Sequence, residues 1–286
     1  MSPLIIDFHT HIFPKKIAAH AIATIEIKAS TPTYLDGSLD ALRASMKDAG
    51  IDISVLLSVA TNPSKISHMN DLQIAGAEQG DPDLVWFGCV HPYAPNWKEE
   101  LERIAAAGLK GIKLHPQYQG VPIDDPATMR VLEKCGELGL IVVNHSGKEP
   151  AFPYLGAYSS PQQIRNVLKQ VGPVTFVGAH MGALQDWSEA AEMYGDMPNI
   201  YIDTSFALRH LKPGERGYYT QEVLGLLDEE NFVKLIRDLG ADRVVYGTDS
   251  PWRGQKDTVD AIRALPLTDE EKELIFHKNA EKLLKI

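Results

Sequence analysis

The chain has 286 residues, 44% of them hydrophobic and 23% charged, with a formal net charge of −10. That is ordinary globular composition, long enough to bury a large core. The acidic balance, with no basic block, argues against nucleic acid as a partner. No apolar run reaches the roughly 18 residues of a membrane helix.

In chain order, eight short runs read as buried strands: Leu4–Phe8, Ile53–Val59, Leu84–Val90, Gly111–His115, Leu140–His145, Val174–His180, Ile200–Asp203 and Val244–Gly247. Most are continuously apolar, as expected of parallel strands covered on both faces. Segments with apolar residues at helical spacing separate them: 39–49, 72–78, 99–107, 129–138, 161–171 and 223–239. Gly50, Gly108, Gly139 and Gly240 follow four of these and suit helix C-caps. A loop excursion is predicted over 209–220 and a last helix over 269–284. Eight repeats of βα size predict a (β/α)8 barrel, read as one domain over 1–286. A doubly wound sheet is less favoured, because no Gly-x-Gly-x-x-Gly turn follows a strand.

The two cysteines, Cys89 and Cys135, lack C-x-x-C spacing and read as buried small hydrophobes in a reducing compartment. The first strand starts too close to Met1 for a signal peptide, so a soluble cytoplasmic protein is expected.

Barrel enzymes gather their chemistry where the strands end. Those ends hold His9 and His11; Lys113 and His115; His145; His180; and Asp249 within Gly-Thr-Asp-Ser-Pro-Trp. Strand parity places Asp7, His9 and His11 on one face, with Gly111, Gly178 and Gly247 leaving space in the mouth. Three histidines and an aspartate can supply a zinc site with an open position for water, leaving one histidine for proton transfer. His91, His115, Arg209, His210, Trp252 and Arg253 lie near strand ends and are candidate substrate contacts. Phe152, Tyr154 and Tyr158 either line the pocket or pack a loop. His20, His68 and His277 fall in helical segments and read as surface or structural.

With these motifs, Gly-Ile-Lys-Leu-His-Pro on strand four and Asn-Ala-Glu-Lys-Leu-Leu at the end, the chain resembles the amidohydrolase superfamily. The closer resemblance is to its amidohydrolase-2 branch, related to aminocarboxymuconate semialdehyde decarboxylase. The resemblance implies a TIM barrel holding one or two divalent metals, one being favoured. It implies His9, His11, His145 and Asp249 as ligands and His180 as the catalytic or second-metal histidine. Asp249 would also orient or deprotonate a bound water. Zinc suits this donor set best, with manganese or iron as alternatives. In binuclear members a strand-four lysine is carboxylated and bridges the metals; otherwise Lys113 is a cation for an anionic substrate. The leading expectation is hydrolysis of an amide, ester or lactone carbonyl in a small molecule. The alternative is a lyase, the non-oxidative decarboxylation of an unsaturated or aromatic acid. A non-catalytic metal-bound barrel is the least favoured reading. The resemblance also makes a homodimer plausible.

Overall fold

The structure is a computed structural model and describes residues 4–29, 31–209 and 225–286. Nine short strands are present among the described residues: β1 (Ile6–Thr10), β2 (Ile53–Leu56), β3 (Leu84–Trp86), β4 (Gly88–Cys89), β5 (Gly111–Leu114), β6 (Ile141–Asn144), β7 (Phe176–Gly178), β8 (Ile200–Asp203) and β9 (Val244–Val245). They pair in parallel in chain order, as a sheet β1-β2-β3 and a sheet β4-β5-β6-β7-β8-β9. The run expected over 84–90 is split at Phe87, where the ladder changes sheet. Phe87 N still donates to Leu56 O (3.1 Å) across that seam. At the other seam Phe8 N donates to Tyr246 O (2.8 Å) and Asp249 N to His9 O (2.8 Å). The architecture is a (β/α)8 TIM barrel in which individual hydrogen bonds, not a continuous ladder, bridge both seams.

Alternation along the strands sorts the core into two layers. Ile6, Phe8, Val55, Phe87, Val143, Val177 and Val245 form the inner cluster. Ala280 and Leu284 of the last helix, α12 (Asn279–Leu284), join it. Asn279 anchors that helix, donating from Nδ2 to Ala241 O (2.7 Å) and Val244 O (2.8 Å). Leu56, Ile112, Leu114 and Val142 face the other way and pack with the helices.

Helix α2 (Leu39–Ala49) starts at Ser38, whose side chain caps Ala41 N, and ends at Gly50 in the left-handed conformation. That glycine tolerates a positive φ at no Cβ cost. α3 (Ile66–Ala77), α4 (Trp97–Ala106), α6 (Pro126–Leu138) and α7 (Pro161–Leu168) lie within a few residues of expectation at most ends. α3 is the exception and starts six residues earlier. The segment expected over 223–239 begins as helix α9 only at Glu229, capped by Asp228. The excursion over 209–220 lies outside the described residues apart from Arg209. The expected terminal helix is α11 (Asp269–Glu273), a π turn (Leu274–Lys278) and α12 in succession. Four helices carried no adequate signal: α1 (Ala18–Ala29), the short α5 (Pro116–Gln119), α8 (Trp187–Tyr194) and α10 (Gln255–Ala264).

Two parity expectations need correction. The β1–β2 register shifts between Asp7 and Thr10, as in a β-bulge. Ile6 and Phe8 point inward, so Asp7 between them does not, and beyond the shift His9 no longer shares its face. Its carboxylate accepts from Thr248 N (3.0 Å), Thr248 Oγ1 (2.6 Å) and Gln255 Nε2 (2.8 Å) instead of joining the histidines. Nor do the glycines leave room. A Cβ at Gly111 would lie 2.2 Å from Ile141 O and 2.5 Å from the Phe87 ring. One at Gly178 would lie 3.1 Å from Gly182 Cα, and one at Gly247 would lie 2.9 Å from His9 Cβ. These glycines permit close packing of backbone and site residues.

Gly111→Ala should therefore destabilise the protein by about 1–3 kcal/mol, towards the upper end because the clash is with backbone. Urea unfolding would measure it, and an unchanged midpoint would contradict the packing described. Cys89 and Cys135 are both buried and unpaired. Burial pushes the Cys89 thiol up to about 12 and raises Cys135 as well. Raising a thiol's pKa removes thiolate at neutral and mildly basic pH, so neither should react with a thiol reagent at about pH 8 until the chain unfolds.

Candidate functional site

His9 and His11 leave the end of β1 together, with their Nε2 atoms 3.1 Å apart. Asp249 comes from the turn after β9, in a left-handed conformation (φ 67°) that is uncommon for a non-glycine residue. Its Oδ1 lies 3.2 Å from His11 Nε2 and 3.5 Å from His9 Nε2. The hydrogen bonds on the far side of each ring settle which nitrogen is bare. His11 Nδ1 lies 2.8 Å from Leu57 O, and His9 Nδ1 lies 2.7 Å from Asp203 Oδ2. A carbonyl and a carboxylate only accept, so both Nδ1 atoms carry the proton and both Nε2 atoms present a lone pair. Two lone pairs and a carboxylate oxygen thus converge on one point, an arrangement that repels itself unless a cation sits there. The donor set, with its orienting partners, fits a divalent metal ion.

The other two histidines repeat the pattern a short way across the mouth. His145 Nε2 lies 3.0 Å from Lys148 O, and His180 Nδ1 lies 3.2 Å from Ser205 O. By the same argument His145 Nδ1 and His180 Nε2 are bare, and they face each other at 2.9 Å. The structure does not group His145 with His9, His11 and Asp249. It forms a second cluster with His115 and Glu149. The His115 ring stacks on His145 (4.0 Å between centroids, 11° between planes), and Glu149 Oε2 lies 3.4 Å from His115 Nε2. Lys113 stands among these groups, fully buried, with Nζ 3.2 Å from His9 Nε2. Among the described residues it makes no ion pair.

Burial dominates the electrostatics. It holds His9, His115 and His180 well below the ordinary histidine range and His145 down at about 3; the Lys113 cation lowers all four further. The imidazoles are therefore neutral, as metal ligands must be. Burial also lowers Lys113 to about 8, against the pull of Asp203, Asp249 and Glu149.

Asp203 is the functional residue that strand-end reading passed over. Its buried carboxylate accepts from His180 N (3.0 Å), Ser205 N (3.0 Å) and Ser205 Oγ (2.5 Å) as well as from His9. It ends β8 as a lone aspartate, with no motif around it. Ser205 Oγ also lies 3.0 Å from both His9 Nδ1 and His180 Nδ1, tying the two histidine pairs together. Glu149 was likewise unmarked, standing in the loop after β6.

Of the expected substrate contacts, Lys113, His115 and Trp252 line the cavity over the histidines, as do His180, Glu149 and Phe206. Arg253 is buried behind Phe206, its guanidinium 3.8 Å from that ring's centroid. Arg209 is exposed, and its backbone N bonds Leu227 O. His91 is buried, with Nδ1 3.2 Å from Tyr93 N. His210 lies outside the described residues. Phe152 packs on Tyr118 and Tyr154 is 98% exposed, so loop packing describes this cluster better than pocket lining. His20 is exposed and His277 pairs with Glu281. His68, expected away from the mouth, lines the cavity's outer part because α3 forms one of its walls.

The sequence profile of the amidohydrolase family (Amidohydro_2) matches residues 6–286, and the chain belongs to that family. It is a metal-dependent TIM-barrel enzyme family. No curated protein matches the sequence. Among solved structures, an uncharacterized TIM-barrel protein from Bordetella bronchiseptica is 19% identical with a TM-score of 0.74, covering 98% of both chains. The 5-carboxyvanillate decarboxylase of Sphingomonas paucimobilis is 17% identical with a TM-score of 0.71, over 100% of both chains. A 5-carboxyvanillate decarboxylase from Novosphingobium aromaticivorans with bound manganese is 17% identical with a TM-score of 0.68, over 100% of this chain and 98% of that one. At these identities the likeness is one of fold.

Asp203→Asn should weaken divalent-metal binding by about 10- to 100-fold, because the carboxamide no longer fixes the His9 ring and tautomer. Titration with zinc against a competing chelator would show it, and unchanged affinity would remove Asp203 from the site.

Proposed function

We propose that this enzyme is a metal-dependent, non-oxidative decarboxylase of a small carboxylic acid, with His9, His11 and Asp249 holding the metal and His145 as the candidate fourth ligand. The observation that carries this reading is Lys113: a buried cation that makes no ion pair among the described residues, standing beside converging metal-competent lone pairs. Such a charge is costly unless the pocket's ligand supplies the anion. The named decarboxylases among the structural neighbours support the same chemistry. Zinc is the proposed metal, with manganese, which one neighbour carries, as the alternative.

When bound, the ion supplies Lewis-acid polarisation of the substrate's oxygens. Lys113 attracts the carboxylate and, with Trp252 and Phe206, fixes the acid in the mouth. The bond from carbon to the carboxyl group breaks, carbon dioxide leaves, and the electron pair left on carbon takes up a proton. His180 is held at Nδ1 by Ser205, and its bare Nε2, facing His145, is placed to take a proton from solvent in the mouth and pass it to that carbon.

A specific observation favours a second reading. The bare nitrogens of His145 and His180 at 2.9 Å would suit a second ion, with Lys113 carboxylated between the two. That arrangement supports hydrolysis of an amide, ester or lactone, the reaction expected first from sequence. We also take the enzyme to be cytoplasmic and homodimeric, which cell fractionation and light scattering would test. Among the described residues no helix is long and apolar enough to cross a membrane.

Metal analysis and a substrate panel separate the readings. The decarboxylase should hold about one equivalent of metal and release carbon dioxide from aromatic or unsaturated acids. Two equivalents, with acid released from lactones or esters and no carbon dioxide, would establish the hydrolase instead. His180→Ala should keep the His9–His11–Asp249 metal and lose at least about 100-fold in kcat. Loss of the first metal in that variant would contradict the role given to His180.

A further inference from the structure

The cavity over the histidines does not end at the barrel mouth. Its volume is about 860 Å³, and it runs from His9, His11 and Asp249 to Trp86 on β3. An apolar cavity of about 150 Å³ is enough for a benzene ring. A bare monocyclic acid would therefore leave most of this space unfilled.

Two helices, α1 and α3, supply much of the lining beyond the mouth. One wall is a single face of α3, formed by Met69, Leu72, Gln73 and Gly76 at helical spacing. At 1.5 Å per residue these span about 10 Å. Another part of the lining comes from α1, with Ile25, Ala29 and Lys28, whose ammonium lies over the Tyr118 and Phe152 rings. At the far end the Trp86 indole lies so close to Gly76 that a Cβ there would be 2.5 Å from the ring. Ile17 and Leu72 also line the cavity, and they are 51% and 41% exposed. Large apolar side chains left open beside a reaction site are surface that a ligand's hydrocarbon part would cover.

We propose that this part of the cavity is a channel that binds a slender hydrocarbon tail, and that the enzyme's substrate is an acid carrying an extended alkyl chain. The inference rests on the reading of the barrel mouth as the place where the acid group reacts. The mouth, with Lys113 and the histidines, takes the carboxylate. The chain then passes along α3 towards Trp86, covering Ile17 and Leu72.

The test is calorimetric binding of unbranched alkanoates, from butanoate to decanoate, to the metal-loaded protein below their micelle concentrations. A methylene that becomes fully buried should tighten binding about fourfold, and the gain should stop when the channel is full. Leu72→Trp narrows the channel from α3 at a half-exposed position, and Ile25→Trp narrows it from α1 if the first variant folds poorly. Either should flatten the chain-length dependence while leaving butanoate affinity within about twofold. A flat series in the wild type, or a steep series that both variants leave unchanged, overturns the channel. The same series on metal-stripped protein separates this result from the chemistry at the mouth. Butanoate affinity should fall without metal while the gain per methylene persists. A flat series with metal-dependent butanoate binding removes only the channel. A steep series with metal-independent butanoate binding removes only the metal-site reading.

Discussion

One buried carboxylate, Asp7, joins the first strand of the barrel to the turn after the last. It accepts four hydrogen bonds, from His9 N, Thr248 N, Thr248 Oγ1 and Gln255 Nε2. Burial pushes its pKa up to about 7 against the pull of those same bonds, so the position is costly and is maintained by full satisfaction. The site depends on this seam. His9 is two residues along one side of it, and Asp249 follows Thr248 on the other. Asp249 N donates to His9 O and His11 N to Ser250 O, so the three converging groups are fixed to one another through backbone.

From that seam the chemistry follows with few further assumptions. His9, His11, His145 and His180 each have one ring nitrogen committed to an acceptor-only partner: Asp203, Leu57 O, Lys148 O and Ser205 O. The remaining nitrogens are bare and meet in two pairs. Burial keeps His9, His145 and His180 neutral and leaves Lys113 as the cation at the centre. A protein interior that gathers lone pairs in this way is preorganised for a cation, and the buried ammonium beside them is preorganised for an anion. A metal-dependent enzyme acting on an acid satisfies both.

Much of this was legible in the residues themselves, for physical reasons. Continuous apolar runs marked the strands, and polar residues at their ends marked the mouth, because a barrel interior admits polar groups only there. His9, His11, His145, His180 and Asp249 all stood at such ends. What escaped depended on features with no local signature. Asp203 is a lone aspartate whose role appears only when β8 stands beside β9 and β1. His9 leaves the face of Asp7 at a register shift that parity cannot anticipate. Gly111 looked like space and is a point of close packing. α1 and α3 line the cavity, yet α1 carried too little polar contrast to be seen as a helix, and α3 was read too short.

Where a metal binds decides the chemistry of this site. Crystals grown with zinc, measured at the zinc absorption edge, would place the ion directly. The expected result is an anomalous peak at about 2.0–2.2 Å from His9 Nε2, His11 Nε2 and an Asp249 carboxylate oxygen. A peak confined to His115, His145 and Glu149, or none at full zinc occupancy in solution, would contradict it.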